Sequence, residues 1–157
     1  MFIAANWKMN LDKSSIDRFC NIIESFEFNE QIKGCIFPPN VYICHLKKLL
    51  KNLPLSIGGQ NCHYETSGAF TGEVSSSSLK DIGCEYVILG HSERRLNYNE
   101  SNLYVQKCAS SAINSNLIPI ICVGESFKDR ENGSALDFIA NQINESLPKS
   151  FDNIIIA

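Results

Sequence analysis

No apolar run in this 157-residue sequence approaches the ~20 residues that a membrane-crossing helix requires. Met1–Lys8 has neither the basic start nor the long apolar stretch of a secretory leader, so none is expected. Basic stripes are missing too. The 14 Lys and Arg residues are scattered among 17 Asp and Glu, for a net charge of −3. That balance speaks against nucleic acid or an anionic membrane as partner. There is no Gly-x-x-x-x-Gly-Lys-Ser/Thr and no Gly-x-Gly-x-x-Gly, so P-loop and dinucleotide readings lose their main support. Nor is there a Cys-x-x-Cys. The seven cysteines are odd in number and mostly sit inside apolar runs, where a thiol acts as a small hydrophobe. This usage predicts a reducing, cytoplasmic setting and no disulfide framework. Cys62-His63 is the one adjacent pair of metal-ligand types, and no second pair completes a site. No metal is expected. Three Asn-x-Ser triplets, at Asn99, Asn132 and Asn144, read as chance matches without a secretory route.

What is present is a rhythm. A chain that is 44% hydrophobic supports one domain, residues 1–157, burying about 70% of its extended surface. Apolar runs recur at Phe2–Ala5, Cys35–Phe37, Leu55–Ile57, Tyr86–Leu89, Ile118–Val123 and Ile154–Ala157. Their starts lie roughly 20–35 residues apart, room for a crossover helix each time. Ile16, Phe19, Ile22, Ile23 and Phe26 follow helical spacing after Ser14-x-x-Asp17, which predicts a capping box. Val41, Leu46, Leu49 and Leu50 form a rougher stripe after Pro38-Pro39. Leu103, Ala109, Ala112 and Ile113 suggest another helix, and Leu136, Ile139, Ala140, Ile143 and Leu147 the clearest one, closed by Pro148. The order is a parallel α/β alternation. Two segments resist it. Residues 60–78 hold a long loop with Phe70 near its tip, where a partner could cover it. At the other, the sequence stops inside the apolar run Ile154–Ala157; since termini are usually superficial, this reads as a sequence cut short.

Chemistry in a parallel α/β chain collects just past the carboxyl ends of strands. Three such ends carry candidates. Gly90 breaks the fourth run, and His91, Ser92 and Glu93 follow it. A histidine beside a carboxylate there can serve as an acid/base site, or can be an ordinary hydrogen-bonded loop residue. The first run ends in Asn6-Trp7-Lys8. Strand alternation would place Asn6 and Lys8 on one side, with the Lys8 ammonium facing a bound anion or simply solvent. Glu125 follows the fifth run and reads as a loop-orienting or salt-bridging carboxylate.

Taken together, Ala-Asn-Trp-Lys-Met-Asn at 5–10, Gly-Ala-Phe-Thr-Gly-Glu at 68–73, Gly-His-Ser-Glu-Arg-Arg at 90–95 and Cys-Val-Gly-Glu at 122–125 resemble the triosephosphate isomerases. The resemblance runs from Met1 to Ala157 and implies a parallel (β/α)8 TIM barrel of about 250 residues, here an incomplete barrel of six β/α units. It implies that His91 polarises a triose phosphate carbonyl and shuttles a proton between the two oxygens. Lys8 would offset phosphate and developing enediolate charge, Asn6 would contact substrate, and Glu93 would position Lys8. Thr71, with Phe70 and Glu73 beside it, would form the loop that reaches across a homodimer. Gln60, Cys122 and Glu125 look like supporting positions. No cofactor is implied. The family's general base, a glutamate just past the sixth strand, has no counterpart in these 157 residues, nor have its phosphate-closing loops. The chain by itself is therefore expected to be a poor isomerase. Two alternatives remain open: a non-catalytic relative acting as an interaction module through residues 68–73, and an unrelated doubly wound domain, in which strand order would reverse.

Overall fold

A computed structural model describes residues 1–151 and 153–157. Six strands, β1 (Phe2–Asn6), β2 (Lys33–Phe37), β3 (Leu55–Gly59), β4 (Tyr86–Leu89), β5 (Ile118–Ile121) and β6 (Ile155–Ile156), form one sheet in the order 1-2-3-4-5-6. Every pairing is parallel. The order never reverses, which excludes the doubly wound alternative. Helices α1 (Lys13–Ile23), α2 (Ile43–Leu49), α3 (Ser76–Asp81), α4 (Ser92–Tyr98), α5 (Asn102–Asn114), α6 (Phe127–Glu131) and α7 (Ala135–Ser146) fill the crossovers.

The middle strands are apolar on both faces because both faces are covered, whereas Ile3 and Ala4 of β1 and Ile156 of β6 are exposed. In β4, Val87 and Leu89 point into the layer shared with the helices, and Tyr86 and Ile88 into the opposite one. β2 and β5 split the same way, with Ile36 and Ile121 on the helix side, and Cys35, Phe37 and Ile120 across from them. Period-two alternation thus persists inside runs that read as continuous. All seven cysteines are free thiols; Cys44 alone is exposed.

Several helix expectations need correction. α1 starts two residues earlier than the Ser14 signal implied: Asp12 is its N-cap and accepts a hydrogen bond from Ser15 N at 2.8 Å. An aspartate caps as well as a serine, so the residue nearer the strand wins. In the second crossover a 3₁₀ turn at Asn40–Tyr42 leaves Val41 out in solvent; Leu46 and Leu50 are buried as expected, and Ile43 joins them in place of Val41. Leu103 is exposed while Val105 and Cys108 take its place in the core. On α7 the buried positions are Gln142 and Ser146, and Leu136 lies out in solvent. β5 ends at Ile121 rather than Val123, because beyond that point the chain turns into the loop that carries Glu125.

α3 is docked by Leu79, fully buried beside Gly59 at the end of β3. Leu79→Ala should cost about 2–5 kcal/mol of unfolding free energy in a denaturant titration. A loss below ~1 kcal/mol would mean that α3 contributes no core contact.

Candidate active site

The first wall of the site is the turn after β1. Backbone pairing continues one residue beyond the strand, with Trp7 N donating to Phe37 O at 3.1 Å. Trp7 also fixes its ring edge-on to Phe19, centroids 5.2 Å apart. The chain then swings into left-handed backbone at Lys8, φ 53°. So the two-residue strand period stops before Lys8, and the shared side expected for Asn6 and Lys8 comes from a turn instead. Such a conformation costs a non-glycine residue about 1–3 kcal/mol unless neighbours hold it. Here the Asn6 side-chain oxygen accepts from Lys8 N at 2.9 Å. The Gln60 amide donates both to Lys8 O and to Phe37 O, at 2.8 Å each.

The second wall is built at the end of β4. Gly90 takes φ 63°, and His91 becomes the N-cap of α4. Its carbonyl accepts from Arg94 N and Arg95 N at 2.8 and 3.0 Å, which starts the helix. Its ring Nδ1 accepts from Glu93 N at 3.3 Å. With Nδ1 used as an acceptor, a neutral ring carries its proton on Nε2.

Glu93 joins the walls. One carboxylate oxygen takes the Lys8 ammonium at 2.7 Å. The other lies 3.6 Å from His91 Nδ1, beyond hydrogen-bond reach. An ammonium from β1 and an imidazole from β4 therefore face the same carboxylate. The hydrogen bond from Lys8 is the main cause holding the Glu93 carboxyl below the usual glutamate range; the Lys8 charge adds to it, and partial desolvation opposes it. The Lys8 and Glu93 side chains are about half exposed, 50% and 49%. A pair so wet adds little to stability, so its consequence is placement. Around it lies an open cleft of about 340 Å³ that Asn6, Lys8, Gln60, Asn61, His91, Glu93, Arg94 and Tyr98 help to line, within the size range of small-molecule sites.

The structure thus brings Asn6, Lys8, His91 and Glu93 together. It places Phe70 and Glu73 elsewhere, in a separate hollow with His63 and Gly68; Thr71, between them in the chain, is exposed. Phe70 packs tilted against the His63 ring, centroids 4.3 Å apart, and stays 40% exposed. Cys62 is buried, which pushes its thiol up, and His63 is spent on aromatic packing and on accepting from Glu65 N. Glu125 pairs with Arg130. Two residues carried no role in the sequence reading. Arg94 joins the buried Glu100 at 2.6 Å, and Arg95 turns inward beneath the strand ends. Their signal was the doubled arginine after Glu93, indistinguishable by type from a solvated helix face.

The triosephosphate isomerase family model matches residues 1–157. The chain belongs to that family. Among its relatives, the triosephosphate isomerase of Alkaliphilus oremlandii is 41% identical over 160 residues, covering 99% of this chain and 64% of its own length. That of Dictyoglomus thermophilum is 40% identical over 163 residues, with the same coverage of 99% and 64%. The crystal structure of the Bartonella henselae triosephosphate isomerase superposes with a TM-score of 0.90 at 36% identity, over 99% of this chain and 65% of that one. The chain thus spans a little under two thirds of the relatives it matches. Its six in-order parallel strands form an incomplete (β/α)8 barrel.

The depressed Glu93 carboxyl sets a pH window for this triosephosphate isomerase family chain. Its contact with Lys8 is in place above the ordinary glutamate range, and is lost only as pH falls through the lowered value. Carbon-13 NMR of the Glu93 carboxyl should show a midpoint below 4.5, the ordinary value, that returns toward it in Lys8→Met. A midpoint unaffected by that substitution would remove the ammonium as its cause.

Proposed function

We propose that the gene product containing this chain is a triose-phosphate isomerase, interconverting dihydroxyacetone phosphate and D-glyceraldehyde 3-phosphate in the cytoplasm. The observation that carries this is the single Glu93 carboxylate facing both Lys8 and His91 at the rim of a parallel sheet. The reaction abstracts a proton α to a carbonyl, passes through an enediolate, and reprotonates the other carbon. Only protons move, so residues that hold charge and hydrogen-bond oxygens suffice. Residues 1–157 act as one domain that supplies the electrophilic half.

In this reading the His91 Nε2–H donates toward the substrate oxygens, because Nδ1 is occupied by Glu93 N. Charge developing on those oxygens is met by a donor already aimed at them. The Lys8 ammonium exchanges its Glu93 contact for the substrate's phosphate and enediolate charge. Asn6 holds the turn from which Lys8 projects and contacts substrate. Glu93 keeps both partners in place between turnovers. Thr71, at the exposed tip beside Phe70, steadies the site of a second copy across a homodimer. The general base lies past the sixth strand, outside residues 1–157.

Assayed with dihydroxyacetone phosphate, the whole gene product should turn over, and His91→Gln should lower kcat by about 10²–10³-fold. A chain ending at Ala157 should fall short of the whole product by roughly 10²–10⁴-fold for want of the base. Absent turnover in the whole wild-type product, or a His91→Gln variant with unchanged kcat, would overturn the assignment.

A further inference from the structure

Arg95 sits one helical turn after His91, yet its guanidinium does not face solvent. It is half-buried, and among the described residues it makes no ion pair. Instead its fork is spent on neutral acceptors. Nε donates to Gly90 O at 2.8 Å. Nη1 donates to the Asn102 side-chain oxygen at 2.6 Å. Nη2 reaches Cys122 O at 3.2 Å and the Ser146 hydroxyl at 3.3 Å. Asn102 is itself oriented, because its amide nitrogen donates to Glu145 on α7 at 2.8 Å. That fixes which end of the amide faces the arginine.

The two carbonyls have a particular place. Gly90 O belongs to the peptide that joins Gly90 to His91, and Cys122 O stands just past the neighbouring strand β5. Holding the first carbonyl fixes the peptide plane from which the His91 backbone departs. A β-carbon on Gly90 would come within 2.8 Å of Arg95 Nη2 and of Val105. Glycine is thus required here by the close arginine as well as by its left-handed backbone. Burying a cation with no carboxylate partner is unfavourable. Burial indeed lowers the Arg95 pKa. Packing alone would be served by a neutral side chain of similar size.

We propose that Arg95 is a positioning residue for the isomerase site: by clamping Gly90 O and Cys122 O it sets the peptide before His91 and so the aim of the imidazole. This rests on the reading of His91 given above. Arg95 touches no substrate; it acts through the histidine. Misaiming a catalytic group by about an ångström can cost on the order of 100-fold in rate. The effect should fall on kcat, with KM little changed, since Lys8 and Asn6 stay in place.

The test uses the whole gene product. In Arg95→Met, kcat should drop about 10- to 100-fold with KM within about threefold. The nitrogen-15 resonances of the His91 ring should shift or broaden. Arg95→Lys should not restore kcat, because one ammonium cannot span both carbonyls. Should Arg95→Met fail to fold, Asn102→Ala removes only one anchor of the fork, and should give a smaller kcat loss with the same ring-resonance change. An unchanged kcat and unchanged His91 resonances in folded Arg95→Met or Asn102→Ala, with only a lower melting temperature, would reduce Arg95 to a structural brace and overturn the proposal. So would full rescue by lysine. If the wild-type product shows no isomerase turnover, the functional reading falls by itself, and the His91 resonances still decide whether Arg95 aims the ring.

Discussion

Parallel pairing in strict chain order is the constraint on which this molecule depends. Each strand hydrogen-bonds only with its sequence neighbours, all running one way. Every strand therefore delivers its carboxyl end to the same rim. β4 and β5, covered on both faces, carry no charged side chain, and the site's polar groups stand at or just past the strand ends. That is how Lys8 and Glu93, 85 positions apart in the chain, come to a 2.7 Å contact.

The same device secures the rim twice. Gln60 reaches from the end of β3 to the carbonyls of Lys8 and Phe37, at the ends of β1 and β2. Arg95 reaches from α4 to the carbonyls of Gly90 and Cys122, past β4 and β5. In both cases a planar side chain with several N–H groups bridges two carbonyls at the ends of adjacent strands. Beyond the last ladder bond, strand ends are free to splay unless something holds them. The two side chains that face Glu93, Lys8 and His91, each depart from a peptide held in this way. The Lys8–Glu93 ion pair is too exposed to do that work; it sets where the charges rest on a rim held by hydrogen bonds to backbone carbonyls.

The sequence was legible where short-range physics decides. Apolar runs gave all six strands, since a buried parallel strand has little freedom of composition. Gly90 and the residues after it announced a rim, and the four quoted motifs pointed to a family. Helix faces were harder to read. Val41, Leu103 and Leu136 fit helical spacing but face solvent, while Leu46, Leu50, Ala109 and Ala112 of the expected stripes are buried: the misses fall at the first residue of each stripe, where spacing alone does not show whether the sheet reaches that far. Asp12 displaced Ser14 as a cap because both residues suit the role. Arg95 could not be told from a surface arginine, since its burial depends on carbonyls 5 and 27 residues away in the chain. What the sequence hides here is the destination of a long side chain.

At position 8, foldability and chemistry want different residues. Left-handed backbone suits glycine, and a lysine there keeps its φ of 53° only under restraint from Asn6 and Gln60. Glycine would relax the turn and discard the ammonium. Selection for thermal robustness alone would thus erode the very cation the site is arranged around, which makes this turn a place where a hardened variant and a working one part company.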